Sequence, residues 1–377
     1  MKGQAVLACT AIVLVAAVSG CATAPGATSD SEQDAEYYED RIAELESQLA
    51  SNGTASAEYE WQCSAHLPPN DPRSIPVEHF CNMIHGATDG RINVKYYGAG
   101  MLGDMEETYD AVSSGEMAMG FCSPYSSFHE LLNIKGLPFA GSTPESADKL
   151  FYNGGVLDVI LDHGWELTGC KSLATTENGW MAYTTDARPL VTPDDFSGLK
   201  VRVPPSDVYV NTFKNMCPDA LGEAIPWSEI YVSLERGVID GTCTYIGSYM
   251  SEKHCEVCRY YTDVNQMYNR DDIIMNLDLY ESLPGDLQDT LDEAARTLEA
   301  NCRFRYRAMS AEIEEKLTED GCQFTHLTND QRREFIDKVR PFEIYDALYS
   351  ELLAKYFPNE NMYERLVEEV KAAEGIA

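Results

Sequence analysis

The run from Gly98 to Gly103 has the spacing of a dinucleotide-binding loop, G-x-G-x-x-G, and follows a strand-like segment. Such a loop binds pyrophosphate at the N-terminus of the helix that follows it. Here that helix begins with Asp104, Glu106 and Glu107, whose carboxylates would repel phosphate. Asp104 as an N-cap and Glu107 as its partner in a capping box explain the same residues, so we expect no nucleotide site.

Two other groups of residues have the chemistry of metal ligands or reactive thiols. His129 begins the zinc-protease pattern H-E-x-x-H, but Asn133 stands where the second histidine is needed, so the segment predicts a surface helix. Cys255 and Cys258 are close enough along the chain to pair, yet they lack a second pair, and His254 alone does not complete a zinc site. No catalytic motif occurs in the sequence, and we expect neither an enzyme nor a cofactor.

The segments around these motifs alternate between strand and helix patterns. From residue 59 the predicted order is β-α-β-α-β, which is typical of an open, mainly parallel sheet covered by helices, at 59–65, 75–86, 91–97, 104–114 and 117–122. A second set follows, with strands at 199–203 and 240–245 and helices at 206–215 and 227–236. Beyond Pro284 the apolar residues follow one face of a helix, at positions 287, 291, 294, 295 and 298. The sequence therefore predicts an α/β protein.

The composition excludes several classes of function. The chain has 377 residues, a length that favours two domains, and 44% of its residues are hydrophobic, which excludes global disorder. It has 28 Lys and Arg against 62 Asp and Glu, a formal net charge of −34. Such a chain repels phosphate backbones, so we expect no nucleic-acid partner.

The first residues predict export. Lys2 precedes an apolar run at 5–18 that is short for a membrane span, and small residues lead directly to Cys21. This pattern resembles a bacterial lipobox, so we expect a signal peptide at 1–20 and a lipid on Cys21 that anchors an extracytoplasmic protein to the membrane. Ordinary cleavage after residues 22–24, Ala-Thr-Ala, is the alternative. The exported compartment permits disulfides, but the sequence does not define their pairing.

The composition of residues 21–57, which is rich in Ala, Ser, Thr, Asp and Glu, predicts an acidic stalk between the lipid and the folded body. Tyr38, Ile42, Leu45 and Leu49 have a heptad-like spacing, but two heptads form only a marginal helix. A spacer is therefore the main prediction, and weak self-association is the alternative.

The most specific sequence patterns lie in the second half of the chain. Residues 194–204 read DDFSGLKVRVP, and residues 225–241 read IPWSEIYVSLERGVIDG. GMLGD at 100–104, GEMAM at 115–119 and SLPGDLQ at 282–288 accompany them. In this order the segments resemble the motifs of the DctP family, the solute-binding proteins of tripartite ATP-independent periplasmic (TRAP) transporters. The resemblance extends from about residue 58 to the C-terminus.

This resemblance implies a two-lobe clamshell like that of periplasmic binding proteins, with a long helix crossing between the lobes. Lobe I would comprise residues 58–178 plus about 262–305, and lobe II residues 179–261 plus about 306–377. A small organic carboxylate would lie in the cleft. The implied partners are a small and a large TRAP membrane subunit, and an ion gradient would drive transport.

The resemblance also assigns ligand contacts. The family's arginine at the position of Arg202 binds the substrate carboxylate, and a guanidinium has the parallel donors that a carboxylate needs. The alternative is a structural ion pair with a neighbouring acid. Trp227 is in the position of an aromatic residue that packs over the ligand, although a plain core role is open.

Two departures from the family pattern affect the ligand. Trp180 and Met181 follow Asn178-Gly179, so Met181 occupies the place of a second arginine, and Thr244 occupies the place of a ligand-binding asparagine. These losses argue against a highly charged dicarboxylate. They favour a monocarboxylate whose apolar or aromatic remainder is covered by Trp180, Met181 and Trp227.

Ligands of parallel sheets lie beyond the carboxyl ends of the strands. His66 follows the first predicted strand, and Ser123 and Tyr125 follow the third, so we expect these side chains at the cleft. An ordinary loop or core role is equally open for each.

Two alternative functions remain from the sequence. The first is a binding protein of the same fold that serves a sensor or another transporter. The second is an extracytoplasmic redox or metal protein that uses Cys243, Cys255 and Cys258.

Overall fold

The computed structural model describes residues 57–68 and 71–376. The predicted signal peptide, Cys21 and all of the predicted stalk except its last residue lie outside these ranges. The strands in the described residues are β1 (Tyr59–Ser64), β2 (Ile92–Tyr97), β3 (Met119–Cys122), β4 (Cys170–Trp180), β5 (Ala182–Thr185), β6 (Lys200–Val203), β7 (Leu221–Ala224), β8 (Gly241–Thr244), β9 (Tyr260–Thr262), β10 (Tyr268–Asn276) and β11 (Gln323–Thr325).

Helices cover these strands. The α-helices are α1 (Ser74–Ala87), α2 (Met105–Ser113), α3 (Pro144–Phe151), α4 (Val156–Glu166), α5 (Asp207–Met216), α6 (Ile230–Glu235), α7 (Ile246–Ser251), α8 (His254–Val257), α9 (Leu277–Ser282), α10 (Gly285–Glu319), α11 (Asn329–Val339), α12 (Pro341–Tyr356) and α13 (Met362–Glu374). Short 3₁₀ helices span Glu130–Gly136, Pro193–Phe196 and Trp227–Glu229. Within the described ranges, none of the helices is both long and apolar enough to cross a membrane.

The first sheet has five strands in the order β2-β1-β3-β10-β4. Strand β1 is parallel to β2 and β3, and β10 is antiparallel to both of its neighbours. Helix α1 packs against β2, and α2 packs against β3. The predicted β-α-β-α-β order of this region is therefore confirmed.

The second sheet has six strands in the order β11-β9-β5-β8-β6-β7. Strand β6 is parallel to β7 and β8, whereas β5 is antiparallel to β8 and β9. The predicted strands and helices between residues 199 and 245 are present. The helix predicted at 227–236 consists of a 3₁₀ turn followed by α6.

Three segments connect the two sheets. Strand β4 of the first sheet continues into β5 of the second after Met181 alone, and the chain returns from β9 to β10. The two connections are paired, because the Met181 amide donates to the Met267 carbonyl over 2.8 Å. Helix α10, which is 35 residues long, packs against β4 and α1 of the first lobe and against α7 and β11 of the second. The predicted fold, two α/β lobes with a long crossing helix, is confirmed.

Strand β10 carries three consecutive charged residues that are fully buried, Arg270, Asp271 and Asp272. Because side chains alternate along a strand, Arg270 and Asp272 share one face and Asp271 points to the other. Arg270 pairs with Asp272 and with Asp158 and Asp162 of α4, and the indole of α4 residue Trp165 donates to Asp272 over 2.8 Å. Charges that are paired in this way are compatible with the interior of a protein.

The segment after His129 differs from the surface helix that the sequence predicts. It is a 3₁₀ helix, and it buries Leu131, Leu132, Ile134 and even Lys135. The prediction was wrong because the polar residues around His129 suggested an exposed face, while the following apolar residues pack against α4.

All ten cysteines in the described residues are unpaired. Nine are buried, and Cys255 is half-buried. The described part of the chain contains no group of three or more His, Cys, Asp or Glu side chains placed to hold a metal ion.

The predicted capping box at the start of α2 is confirmed. The Asp104 carboxylate accepts from the Glu107 amide over 2.9 Å, and the Glu107 carboxylate accepts from the Asp104 amide over 2.9 Å. We expect Asp104→Ala to lower the free energy of unfolding by about 1 kcal/mol, because the Glu107 amide loses its side-chain acceptor. Urea denaturation measures this change.

Asp110→Ala is the matched control for this prediction. Asp110 is exposed on the same helix and does not cap it, so its replacement should change stability by less than about 0.5 kcal/mol. Equal effects of the two substitutions would contradict a capping role for Asp104.

Candidate functional site

Arg202 is a buried cation, and none of the carboxylates in the described ranges pairs with it. It lies in β6, between β7 and β8, and only 3% of its surface is exposed. Its Nε donates to the Ile225 carbonyl over 2.8 Å, and its Nη1 lies 4.0 Å from the Cys243 sulfur. Among the described residues it makes no ion pair, so the alternative of a structural Arg–acid pair finds no support. A buried guanidinium of this kind is ready to bind an anion.

Trp227 lies beside this guanidinium rather than in the core. Its ring centroid is 5.6 Å from Cζ of Arg202, and 36% of the residue is exposed. The ring also makes an edge contact with the imidazole of His254, at 5.8 Å between centroids. Thr244 approaches the same imidazole, with 3.5 Å between its hydroxyl and Nδ1. Three predicted site residues, Arg202, Trp227 and Thr244, therefore form one group around His254.

His254 is a neutral histidine next to a permanent cation. Burial, and then the charge of Arg202, lower its pKa to about 4. Between pH 6.5 and 4, His254 is protonated in the unfolded chain but remains neutral in the folded chain. The free energy of unfolding therefore falls as the pH falls through this window. We expect a loss on the order of 3 kcal/mol from this group, complete near pH 4 and absent above pH 6.5. Urea unfolding of wild type and His254→Asn across this range measures it.

His326→Asn is the control, because His326 should change the stability with pH in the opposite direction to His254. Burial disfavours the charged form of His326, but hydrogen bonds to Asp263 and Glu314 outweigh burial and raise its pKa. Its contribution is therefore present below the usual histidine pKa and is lost as the pH rises. The same low-pH loss in wild type and His254→Asn would show that His254 is not the titrating group.

A second group of charged residues lies at the carboxyl ends of β1 and β3. Arg73 donates to both oxygens of Asp71, at 2.9 and 2.8 Å, and to Asp271 of β10 at 3.2 Å. The hydroxyl of Ser123 donates to the other oxygen of Asp271. Burial opposes ionisation of Asp71, yet the charge and hydrogen bonds of Arg73 outweigh it and lower the pKa of this carboxyl. The group is thus a fixed array of charges.

Lys135 and His66 lie next to this array, and each has a buried nitrogen that makes no hydrogen bond among the described residues. The ammonium of Lys135 is 3.9 Å from Asp271 and 4.2 Å from the ring centroid of Tyr125, and no atom of residues 57–68 or 71–376 makes a hydrogen bond with it. Nδ1 of His66 is also buried without a partner. Burial, and then the charge of Arg73, lower the pKa of His66. Unsatisfied buried donors are rare in native proteins and point to a missing partner.

Tyrosines connect the two groups. A Cβ atom on Gly136 would lie 2.9 Å from the Tyr209 ring, so this ring packs directly against the residue that follows Lys135. Burial raises the pKa of Tyr209, and the next causes are Tyr125 and Cys243. Tyr245, for its part, lies within electrostatic range of Tyr209, Tyr125, Cys243 and Asp271. Tyr209 of α5 therefore brings the second lobe into contact with the residue next to Lys135.

The remaining predicted residues, Trp180 and Met181, lie on the crossing strand. The Trp180 indole donates to the Gly141 carbonyl over 2.6 Å and packs against Tyr268. Met181 is buried, and its sulfur accepts from the side chain of Gln266 over 3.5 Å. No described contact joins them to Arg202, and their ligand contacts remain predictions. Sequence reasoning missed five buried charged or titratable residues of the site: Asp71, Arg73, Lys135, His254 and Asp271.

The sequence matches the family model described as bacterial extracellular solute-binding protein, family 7, over residues 63–351. A solute-binding protein of Chromohalobacter salexigens is 28% identical over 75% of this chain and 83% of its own length. The 2,3-diketo-L-gulonate-binding periplasmic protein of Escherichia coli is 26% identical over 60% of this chain and 68% of its own.

The fold is also that of solved structures. A TRAP periplasmic solute-binding protein from Ochrobactrum anthropi superimposes with a TM-score of 0.76 at 25% identity. The match covers 85% of this chain and 97% of that chain. Both lobes and the elements that connect them are therefore shared.

Proposed function

Because this chain belongs to bacterial extracellular solute-binding protein family 7, a family of receptors rather than enzymes, we propose that it is the extracytoplasmic receptor of a TRAP transporter. It binds a small organic carboxylate between its two lobes and delivers this ligand to a small and a large membrane subunit. Arg202 carries the assignment of the ligand class, because it is a buried guanidinium that no acid of the described residues neutralises. The ligand carboxylate takes that place.

The connections between the lobes support a receptor that opens and closes. The lobes are joined by the crossing strands at Met181 and at residues 263–267 and by helix α10. A ligand that contacts both lobes favours the closed form by the difference between its affinities for the two forms. The membrane subunits then distinguish the closed receptor from the open one.

Lipid anchoring through Cys21 completes this proposal. The lipobox-like sequence before Cys21 supports it, and the stalk up to residue 57 would hold the lobes away from the bilayer. We expect cells fed with labelled palmitate to label the wild-type protein and the Cys9→Ser variant, but not Cys21→Ser. Persistent labelling of Cys21→Ser would contradict this anchor.

The relatives support an acid as the ligand. The Escherichia coli relative is named for binding 2,3-diketo-L-gulonate, which is a carboxylate. A sensor or a different transporter that uses the same fold would have the same site. The test that separates them is transport by this receptor together with TRAP membrane subunits in vesicles.

A cysteine-based function finds no support in the described residues. Burial raises the pKa of the thiols of Cys243 and Cys255, and it raises that of Cys258 to about 12. These thiols are therefore protonated at neutral pH, and a protonated thiol is neither a good nucleophile nor a metal ligand.

A thermal-shift screen of the full chain tests the receptor function. The panel contains small carboxylic acids, each paired with its primary amide as a neutral control of the same shape. A ligand present at 100 times its dissociation constant adds about 2.7 kcal/mol to the stability, which raises the melting temperature measurably. We expect acids to shift the melting temperature and their amides to leave it unchanged. Equal shifts by acids and amides, or no shift by any acid, would contradict a carboxylate receptor.

A further inference from the structure

Lys135 is a buried cation whose hydrogen-bonding capacity is unused. We propose that Lys135 is a second ligand-binding residue and makes the site selective for a monocarboxylate that bears a hydroxyl or keto oxygen at the end opposite the carboxylate. This inference rests on the proposed function, in which Arg202 binds the carboxylate, and it specifies the class of ligand. It also revises the apolar remainder that the sequence favours.

The surroundings of Lys135 leave its ammonium available. Only 2% of the residue is exposed, and the Tyr125 ring covers the ammonium at 4.2 Å. The nearest acid is Asp271, whose Oδ1 lies 3.9 Å away, beyond the length of a hydrogen bond. Asp271 is already held by Arg73 and Ser123. The ammonium therefore has up to three donors for an oxygen atom that the described residues do not provide.

Lys135 and Arg202 come from different lobes of the protein. Lys135 belongs to the first lobe, in the 3₁₀ helix Glu130–Gly136, and Arg202 belongs to β6 of the second. The Tyr209 ring, on α5 of the second lobe, packs against the backbone next to Lys135. One ligand that reaches both cations would hold the two lobes together.

The balance of charge in the site favours a single negative charge on the ligand. The buried cations are Arg73, Lys135 and Arg202, and the buried carboxylates are Asp71 and Asp271. One positive charge therefore remains without a partner, and a monoanion neutralises it. A dicarboxylate would bring a second charge that is desolvated without a matching cation, which opposes its binding.

The ammonium of Lys135 also distinguishes acids that carry a hydroxyl or keto oxygen from unsubstituted acids. A hydroxyl or keto oxygen accepts a hydrogen bond from Lys135, whereas a methylene group leaves the ammonium unsatisfied. Sites built to hydrogen-bond a ligand oxygen discriminate strongly against the analogue that lacks it. We expect a preference of at least tenfold.

The experiment measures affinities of the full chain for matched acids by isothermal titration calorimetry. Each set, of three to six carbons, contains a hydroxy or keto monocarboxylate, the unsubstituted monocarboxylate and the dicarboxylate of the same length; gluconate, hexanoate and glucarate form the six-carbon set. In the wild type, the oxygen-bearing monocarboxylate of the best set should bind at least tenfold tighter than the other two. Tightest binding of an unsubstituted acid or of a dicarboxylate would overturn the inference.

Lys135→Met tests the residue itself, because methionine has a similar shape and no donors. We expect the preference for the oxygen-bearing acid to fall to less than threefold, because this acid loses both the hydrogen bond and the positive charge of Lys135, whereas the unsubstituted acid loses the charge alone. Lys149→Met, at an exposed lysine of α3, is the matched control and should retain the wild-type preference. Lys135→Leu, which also has no donors, replaces the methionine variant if the latter does not fold, and it should reduce the preference in the same direction.

The outcomes separate this inference from the receptor function. An unchanged preference in Lys135→Met, combined with binding that Arg202→Ala abolishes, would leave a carboxylate receptor and overturn the role of Lys135. Binding of no acid by the wild type would overturn both.

Discussion

Arg202→Ala should weaken binding of the carboxylate ligand by two to three orders of magnitude. The guanidinium is buried and makes no ion pair within the described residues, so the substitution removes charge-assisted hydrogen bonds and leaves the ligand charge without a partner. Loss of one partner from a buried charge pair costs about 2–5 kcal/mol, or roughly 30-fold to several thousandfold in affinity. Calorimetric titration with the best acid from the screen measures the change.

The stability of the ligand-free protein distinguishes this function from a structural role. Since no acid neutralises Arg202, Arg202→Ala should change the free energy of unfolding by less than about 1 kcal/mol, whereas breaking a buried ion pair costs several times more. Arg202→Lys keeps the charge without the two parallel donors and should fall between alanine and wild type. Arg236→Ala, at an exposed arginine, is the control. Wild-type affinity in Arg202→Ala would place the carboxylate elsewhere.

Arg270→Leu should lower the free energy of unfolding by about 3–5 kcal/mol, the cost of removing one partner from a buried ion pair. Arg270 is fully buried on β10, and its loss leaves Asp272 buried without its cation and weakens the attachment of α4 through Asp158 and Asp162. Burial raises the pKa of Asp272, and the positive charge of Arg270 offsets part of this increase. Urea denaturation at pH 7 measures the loss.

Arg91→Leu provides the comparison for this prediction. Arg91 also pairs with two acids, Glu58 and Asp286, but this ion pair is exposed to solvent. Exposed pairs contribute about 0–1 kcal/mol, so this variant should remain close to wild type. If Arg270→Leu were equally harmless, the buried charges of β10 would not be held by Arg270.

The first lobe shows what local sequence patterns can predict. Strands β1, β2 and β3 and helices α1 and α2 lie within a few residues of their predicted bounds, because each has a clear apolar periodicity or a cap such as Asp104. The buried face of α10 was predicted in the same way, and its residues are buried: Leu287, Leu291, Ala294, Ala295 and Leu298.

Strand β10 shows what such patterns cannot predict. Its sequence includes Arg270, Asp271 and Asp272, and consecutive charges are typical of an exposed loop. Their burial depends on partners that are distant in sequence, such as Arg73, which is 198 residues from Asp271. Strands β4 and β5, which were not predicted either, are likewise defined by pairing with distant strands.

In the candidate site too, some residues could be predicted from local sequence motifs and others only from the folded structure. Arg202, Trp227 and Thr244 were found because they lie within motifs, and the structure brings them together around His254. Lys135 belongs to no motif, and its importance depends on Asp271 and Tyr125, which only the folded chain brings near it. A lysine between Ile134 and Gly136 in an otherwise apolar run was the one available signal.

The position of β10 between β3 and β4 also sets the order of assembly. The first sheet is incomplete until β10 is added, and β10 is synthesised after β5 to β9 of the second sheet. A chain that emerges from its N-terminus therefore keeps the edges of β3 and β4 unpaired, and Arg73 without Asp271, until about residue 276. Long-range pairing of this kind slows folding and exposes edges that aggregate. The first lobe thus exposes these two strand edges for as long as the second lobe takes to appear.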